Sequence, residues 1–122
     1  MVSVPGFLLK RLYVKGSLRA TADGFEFDVA NQLGSGYARQ MLPVTLDGRQ
    51  FALAEAYFRR AEGQDIRFCD VSAEQPFTLE VGRGLVIGVH GAALEPGPHK
   101  VGLGFVVQGI GPLSFEVSDI AE

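Results

Sequence analysis

Apolar and polar residues alternate along several segments of the chain. In the segment GFEFDVA, Phe25, Phe27 and Val29 fall on one side of an extended chain, and Glu26 and Asp28 fall on the other. The segment PLSFEVS shows the same alternation near the end of the sequence. Alternation with a period of two is typical of β-strands that bury one face. The pattern therefore predicts a fold built from strands.

Glycine and proline divide the chain into short segments. The 16 glycines and 6 prolines recur at short intervals, as they do in all-β domains with many turns. We predict strands at residues 8–21, 24–33, 41–46, 56–61, 65–68, 77–80, 84–90, 100–108 and 112–118. The segment ALAEAYFRRAE is predicted as a strand, and its helix-forming residues make a short helix the alternative.

Short connections between successive strands favour antiparallel pairing. We therefore predict an all-β fold, an antiparallel two-sheet β-sandwich of immunoglobulin-like or related topology, with a small barrel as the alternative. The length of 122 residues suits a single β-sandwich domain spanning residues 1–122.

Composition narrows the classes of partner. A net charge of −3 gives no general attraction to nucleic acids or acidic membranes. No apolar run approaches the roughly 20 residues of a membrane helix. Cys69 is the only cysteine, which fits a reducing cytosol, and we expect it to be a small buried hydrophobic residue. We expect a cytoplasmic protein that binds neither nucleic acid nor membrane.

Basic residues precede the first acidic residue of the chain. Lys10, Arg11, Lys15 and Arg19 all come before Asp23. They indicate either the solvated face of a first strand or a surface for an acidic partner or a phosphate-bearing ligand.

The two histidines differ in predicted orientation. His99 shares its parity with the apolar residues of its strand and should point inward, whereas His90 should point outward, so the two rings are not expected to share a metal ion. In LEPGPHKV, the turn at Pro96 and Gly97 resembles the corner of a sandwich domain, and His99 is predicted to brace it. The alternatives are a solvent-facing residue without a specific role, and a base or ligand.

No motif nominates a catalytic, metal-binding or cofactor-binding residue. None of the Gly-x-Gly pairs extends to a dinucleotide or phosphate-binding loop. One cysteine and two separated histidines do not suit a closed zinc site. The sequence therefore predicts no catalytic residue, no metal and no cofactor.

Two segments are candidate interfaces. The strands at 84–90 and 100–108, taken as a hairpin, have an outward face without charge, formed by Val86, Gly88, Gly102, Gly104 and Val106. Glycines on an uncharged face indicate close approach by a protein partner or a second copy, or else by a covering loop of the same chain. The loop ANQLGSGYARQMLP, with Tyr37 and Arg39, is either a second interface or a mobile tip.

The segments GFEFDV, VTLDGRQF and LEPGPHKVGLGF together resemble the small β subunit of C-glycoside deglycosylases. The matching positions are Gly24, Phe25, Val29, Val44, Leu46, Asp47, Gly48, Leu94, Pro96, Gly97, His99 and Val101. The resemblance implies a β-sandwich that pairs with a larger, sugar-isomerase-like (β/α)-barrel subunit, which holds a divalent metal. It also implies a sugar-derived ligand at the subunit interface, with Tyr37 and Arg39 as loose counterparts of a Pro-Tyr-Tyr-Arg-Gly stretch.

The segments VPGFLLKRLYVKGSL and GPLSFEVSD resemble another set of sequences. These are short, uncharacterised prokaryotic proteins that are sometimes labelled hydroxymethylglutaryl-CoA reductase. A reductase of that type needs a nicotinamide site and a Glu/Lys/Asp/His centre on a much larger fold, and the sequence shows no motif for either.

Three functions remain open at this point. We expect a non-catalytic accessory subunit or interaction module that binds a protein partner or assembles as a homo-oligomer. The alternatives are an enzyme or enzyme half-site that acts through His90 or His99, and a carbohydrate-binding module that uses Tyr13, Tyr37 and Tyr57.

Overall fold

Two antiparallel β-sheets make up most of the structure, a computed structural model that describes residues 6–31, 36–60, 63–79 and 82–121. In chain order, the strands are β1 (Arg19–Ala20), β2 (Gly24–Ala30), β3 (Gly36–Met41), β4 (Thr45–Leu46), β5 (Arg49–Gln50), β6 (Ala56–Arg60), β7 (Ile66–Arg67), β8 (Phe77–Leu79), β9 (Gly84–His90), β10 (Gly97–Val107) and β11 (Gly111–Ala121). The first sheet has the order β1-β2-β9-β6-β7, and the second has the order β5-β4-β10-β3-β8, with β11 paired to β10. The prediction of an all-β sandwich is confirmed.

The apolar faces of the two sheets form one core. Phe25, Phe27 and Phe58 of the first sheet are fully buried, as is Val101 of the second. The rings of Phe58 and Phe77 meet edge to face across the core, with centroids 4.9 Å apart. The residues that alternate in GFEFDVA therefore place their apolar side against the opposite sheet, as expected for a sandwich.

The prediction of a first strand at residues 8–21 is wrong. Residues 8–21 contain the end of a short helix, α1 (Gly6–Leu9), and a 3-10 turn (Lys10–Leu12), and only Arg19–Ala20 pairs as a strand. Leu12 and Tyr13 follow Leu9 by three and four residues, and all three are buried, so helical turns place them together on the core. Among the described residues, no helix has both the length and the apolar character needed to span a bilayer.

The predicted loop before residue 41 is also partly wrong. Residues 36–41 form β3, which pairs with β10 and β8 and buries Ala38 and Met41. The tip of that loop, at 32–35, lies outside the described residues. The described part of the segment ALAEAYFRRAE forms a 3-10 turn (Leu53–Glu55) followed by β6 (Ala56–Arg60), which confirms a strand there.

The predicted hairpin between the strands at 84–90 and 100–108 is wrong as well. β9 belongs to the first sheet and β10 to the second, and residues 91–96 carry the chain from one to the other. Gly91 has a φ of 75° and Gly97 a φ of 120°. Both ends of this connection therefore use backbone conformations that favour glycine.

A buried carboxylate joins the start of the described chain to its last strand. Asp119 of β11 is 3% exposed, and its Oδ2 accepts hydrogen bonds from the Tyr13 hydroxyl at 2.6 Å and from the N–H groups of Gly16 at 3.0 Å and Leu18 at 3.3 Å. Tyr13 also forms a backbone bridge with Val29 of β2. Asp119 therefore connects the second sheet, through the segment 13–18, to the first.

Both oxygens of Asp119 accept hydrogen bonds. Burial by itself raises the pKa of this carboxyl, but the hydrogen bonds from Tyr13 and from three backbone N–H groups outweigh burial, so its pKa lies below the ordinary value. Burial and the bond to Asp119 raise the pKa of Tyr13. The pair therefore consists of a carboxylate and a neutral phenol at physiological pH.

Among the described strands, β11 pairs only with β10, so its other edge is open. Side chains limit this edge near its end, where the Lys15 ammonium donates to the Ser118 carbonyl at 2.6 Å and Asp119 Oδ1 accepts from the Ile120 N–H at 2.9 Å. Pro112, near its start, has no N–H to donate. Such features block pairing with a further strand.

We expect Asp119→Asn to destabilise the fold more than Tyr13→Phe. The amide that replaces the carboxylate would direct its own N–H groups at donors, and each buried polar group left without a partner costs about 1–3 kcal/mol. Tyr13→Phe removes one donor and leaves the carboxylate bonded to backbone N–H groups. The free energy of unfolding from urea titrations measures both effects, and equal stability of Asp119→Asn and wild type would contradict the role of Asp119.

Candidate functional site

The ring of Tyr57 lies across β9 on the outer face of the first sheet. A Cβ atom at Gly88 would lie 2.2 Å from Tyr57 Cζ, so the ring occupies the space that any other residue would fill. Tyr57 thereby reaches from β6 over β9 to β2, where its hydroxyl donates to Glu26 Oε2 at 2.6 Å. Although Tyr57 is on the outer face, it is only 3% exposed.

Two arginines complete the contacts of Glu26. Arg59 Nη2 lies 3.0 Å from Glu26 Oε2, and Arg19 Nη2 lies 3.3 Å from Glu26 Oε1. Arg59 also contacts Asp65 at 2.6 Å, and Arg19 contacts Asp28 at 3.0 Å. Residues of β1, β2 and β6 therefore meet at one carboxylate.

The environment keeps Glu26 ionised. Burial by itself raises its pKa, but the hydrogen bonds from Tyr57 and Arg59 and the charges of the two arginines lower the pKa below its ordinary value. Burial and the bond to Glu26 raise the pKa of Tyr57. A general base needs a pKa near the working pH. This cluster is therefore suited to holding strands together rather than to proton transfer.

His90 is exposed at the end of β9. Its Nδ1 lies 3.0 Å from Asp23 Oδ2, and its ring stacks on Tyr57 with centroids 4.6 Å apart. The side chain of His90 is 45% exposed. A carboxylate bonded to one ring nitrogen fixes the orientation of an imidazole, which is an arrangement that general bases use.

Both ring nitrogens of His99 have partners at the start of β10. Nδ1 lies 2.6 Å from Asp47 Oδ2, and Nε2 lies 2.6 Å from the carbonyl oxygen of Glu95. Because an ionised carboxylate and a carbonyl only accept hydrogen bonds, both nitrogens must donate, and the ring is an imidazolium. The side chain is only 12% exposed.

Asp47 connects His99 to the turn between β4 and β5. Asp47 has a φ of 53° and precedes Gly48 at that turn, and its Oδ1 accepts from the Lys100 N–H at 2.8 Å. The hydrogen bond from His99 lowers the pKa of Asp47, and the bonds to Asp47 and Glu95 raise the pKa of His99. Of the other predicted corner residues, Pro96 is exposed just before β10 and Gly97 begins it.

The predicted glycine-bearing interface does not form one face. Its members are Val86, Gly88, Gly102, Gly104 and Val106. The first two lie in the first sheet and the others in the second, because β9 and β10 are not a hairpin. Side chains of the same chain cover these glycines: Tyr57 covers Gly88, and a Cβ on Gly102 would lie 2.1 Å from Thr45 Oγ1. The space at both positions is filled from within the molecule.

Tyr37 and Arg39 lie on β3 rather than in a loop. The pairing of β3 with β10 shifts register between Val106 and Val107, and Tyr37, Arg39 and Gln40 are all exposed on β3. Strict alternation would bury residue 40 together with residue 38, so the irregularity turns an additional polar side chain outward. Tyr37 is 50% exposed.

The structure bears on two further expectations, the burial of Cys69 and a sugar-binding surface formed by the three tyrosines. Cys69 is exposed, not buried, because Phe68 takes the buried position in the 3-10 turn (Phe68–Asp70). Tyr13 and Tyr57 are 7% and 3% exposed, so the three tyrosines do not form one sugar platform. The described residues contain no group of three or more His, Cys, Asp or Glu side chains that could hold a metal ion.

Sequence reasoning misses the contact between Glu26 and Tyr57. The sequence feature that relates to this contact is Gly88, a glycine inside a strand. From the sequence, such a glycine indicates close approach by a partner. The register instead places Gly88 between Glu26 on β2 and Tyr57 on β6. Only the strand order of the sheet reveals that a neighbouring side chain fills the space.

One family model matches the chain over residues 8–122, and it is described as hydroxymethylglutaryl-CoA reductase, N-terminal domain. No curated protein matches the sequence. The match supports the resemblance to the chains labelled as that reductase and gives no support to the resemblance to the deglycosylase β subunit.

We expect Gly88→Ala to destabilise the protein because its methyl group would overlap Tyr57. Overpacking of this kind costs about 1–3 kcal/mol. Gly84→Ala is the matched control on the same strand, since its Cβ would lie 3.5 Å from the nearest atom, the Val29 carbonyl oxygen. Urea denaturation followed by circular dichroism compares them, and equal stability of the two variants would show that Tyr57 yields easily.

We expect the stabilisation by His99 to disappear as the pH rises. The folded pKa of His99 lies above the ordinary value of about 6.5. Its contribution is therefore complete below pH 6.5 and is lost as the pH passes the folded pKa. The difference in urea midpoint between wild type and His99→Gln should be largest near pH 6 and should shrink at higher pH. An NMR titration that places the folded pKa of His99 at or below 6.5 would refute this assignment.

Proposed function

The chain belongs to the family described as hydroxymethylglutaryl-CoA reductase, N-terminal domain, and we propose that it is a non-catalytic interaction module that binds a partner protein. The family description names a domain rather than a complete enzyme. A module that assists a larger catalytic part fits that description.

The state of the polar side chains supports a non-catalytic role. Glu26, Asp47 and Asp119 each have a lowered pKa and accept several hydrogen bonds, and His99 uses both ring nitrogens. For any of these groups to transfer a proton, it would have to break contacts between strands. Their geometry favours a structural contribution.

The exposed Tyr37 beside Arg39 is the observation that carries the proposed interaction. Tyrosine and arginine are enriched at protein interfaces, where the ring fills an apolar pocket and the guanidinium pairs with a carboxylate. Arg39 has no ion pair with the described residues, so its charge is available. The position on a strand, at an irregularity in the sheet, holds both side chains on a rigid base.

The partner that fits Tyr37 and Arg39 offers an apolar pocket next to an acidic group. A sugar-isomerase-like (β/α)-barrel of the C-glycoside deglycosylase type, with a sugar-derived ligand at the interface, is its most specific version. A second copy of this chain is the alternative partner, and sedimentation distinguishes the two partners by mass.

A second candidate function rests on His90. Its ring is oriented by Asp23 and stacked on Tyr57. A cleft of about 390 Å³ is lined in part by Asp23 and by Gly91, the residue after His90, although the His90 side chain is not part of its lining. Such an arrangement favours an enzyme half-site completed by the partner. His90→Gln would then abolish the activity of the complex without weakening the binding of the partner.

We expect the double variant Tyr37→Ser with Arg39→Gln to lose the partner. Tagged protein recovers the partner from native extract, and binding of the purified partner is then measured by sedimentation and calorimetry. Residues at the centre of an interface contribute about 2 kcal/mol or more, so affinity should fall at least tenfold. Arg60→Gln, an exposed arginine on β6, is the control for charge.

Two results would overturn the interaction proposal. One is a strictly monomeric protein that recovers no partner under any condition tested. The other is a partner whose affinity is the same for the double variant, for Arg60→Gln and for wild type, because the Tyr37 surface would then have no part in binding.

A further inference from the structure

All three lysines of the chain line one cleft. Lys10, Lys15 and Lys100 are the only lysines in the sequence, and they lie around a cleft of about 440 Å³ next to β11. They come from three separate places: the 3-10 turn (Lys10–Leu12), the segment that follows it, and β10. The fold, rather than closeness in sequence, therefore brings Lys100 to the other two.

The charge of this cleft is opposite to that of the chain. Three lysines and Glu116 line it, which gives a formal charge of +2, whereas the whole chain carries −3. None of the eight arginines lines it. The ammonium groups of Lys10 and Lys100 form no ion pair with the described residues. Unlike Arg19 and Arg59, which pair with carboxylates, these lysines leave their charge unneutralised.

Hydrogen bonds hold Lys15 and Tyr13, two of the residues that line the cleft, in place. Lys15 donates to the Ser118 carbonyl at 2.6 Å, so one lysine is fixed against the edge of β11 and retains two further protons for a ligand. Tyr13 forms part of the wall and is held by its bond to Asp119. The carboxylate of Asp119 does not line the cleft, and its oxygens are occupied by donors from Tyr13, Gly16 and Leu18.

We propose that the cleft formed by Lys10, Lys15 and Lys100 binds a small anion that bears phosphate groups. Ammonium groups act as compact, mobile point charges and are common phosphate ligands. Three of them suit an anion of multiple charge, and Ser118 adds a polar side chain next to them. The volume lies within the range of small-molecule sites, which favours a compact ligand over an extended acidic polypeptide.

The test is an NMR titration of isotopically labelled protein with inorganic pyrophosphate. Sodium chloride keeps the ionic strength constant, so general screening of charge is the same at every point. We expect saturable shifts of the amides of residues 10–18, 100 and 116–118. A second arm, sedimentation with vesicles of phosphatidylcholine with or without phosphatidic acid, distinguishes a lipid phosphate from a soluble one.

The matched variants are Lys10→Gln with Lys100→Gln, and Arg49→Gln with Arg60→Gln. Both double variants remove two positive charges from exposed positions, but only the first changes the cleft. The lysine variant should weaken pyrophosphate binding at least tenfold, and the arginine variant should leave it within twofold. Lys15 is retained because of its bond to Ser118, and each single lysine variant is measured in case the double variant does not fold.

Three results would overturn the proposal. The first is that neither pyrophosphate gives saturable shifts nor phosphatidic acid vesicles bind the protein. The second is equal binding by the lysine double variant and wild type. The third is an equal loss of binding in the lysine and arginine double variants. The last result would show that the total charge of the protein, and not the cleft, attracts the anion.

Discussion

The hydrogen bonds to the buried Asp119 carboxylate are the contacts on which the rest of the structure depends. They fix the segment from Tyr13 to Leu18 against β11, and the backbone of Tyr13 in turn meets β2 in the other sheet. Hydrogen bonds to a charged oxygen are directional, so they fix the position of this segment along β11, whereas apolar packing alone has little directional preference.

Two other carboxylates, those of Glu26 and Asp47, join separate elements in the same way. Glu26 joins three strands through Tyr57, Arg59 and Arg19, and Asp47 joins the β4–β5 turn to β10 through His99. In each case a carboxylate on one element accepts from donors on others, and its pKa is lowered as a result. Polar residues in this sandwich thus stabilise strand order, while the phenylalanine-rich core supplies the area that is buried.

The fold class was predictable from the sequence, whereas the pairing of strands was not. The alternation in GFEFDVA and PLSFEVS identified half-buried strands because each side chain's environment is set locally. Whether β9 and β10 share a sheet depends on the path of residues 91–96, for which local patterns give no signal. The predicted glycine-bearing interface was wrong for the same reason, because Gly88 and Gly102 lie on one face only if the two strands pair.

The protected edge of β11 restricts how a neighbour can attach at this strand. With Lys15 on the Ser118 carbonyl and no N–H at Pro112, an incoming extended peptide would find the ladder interrupted towards both ends. Strand addition, the kind of pairing that also builds amyloid fibrils, is therefore disfavoured at this edge. A neighbour that attaches at β11 is then selected by side-chain chemistry, which single mutations can change without disturbing the sheet.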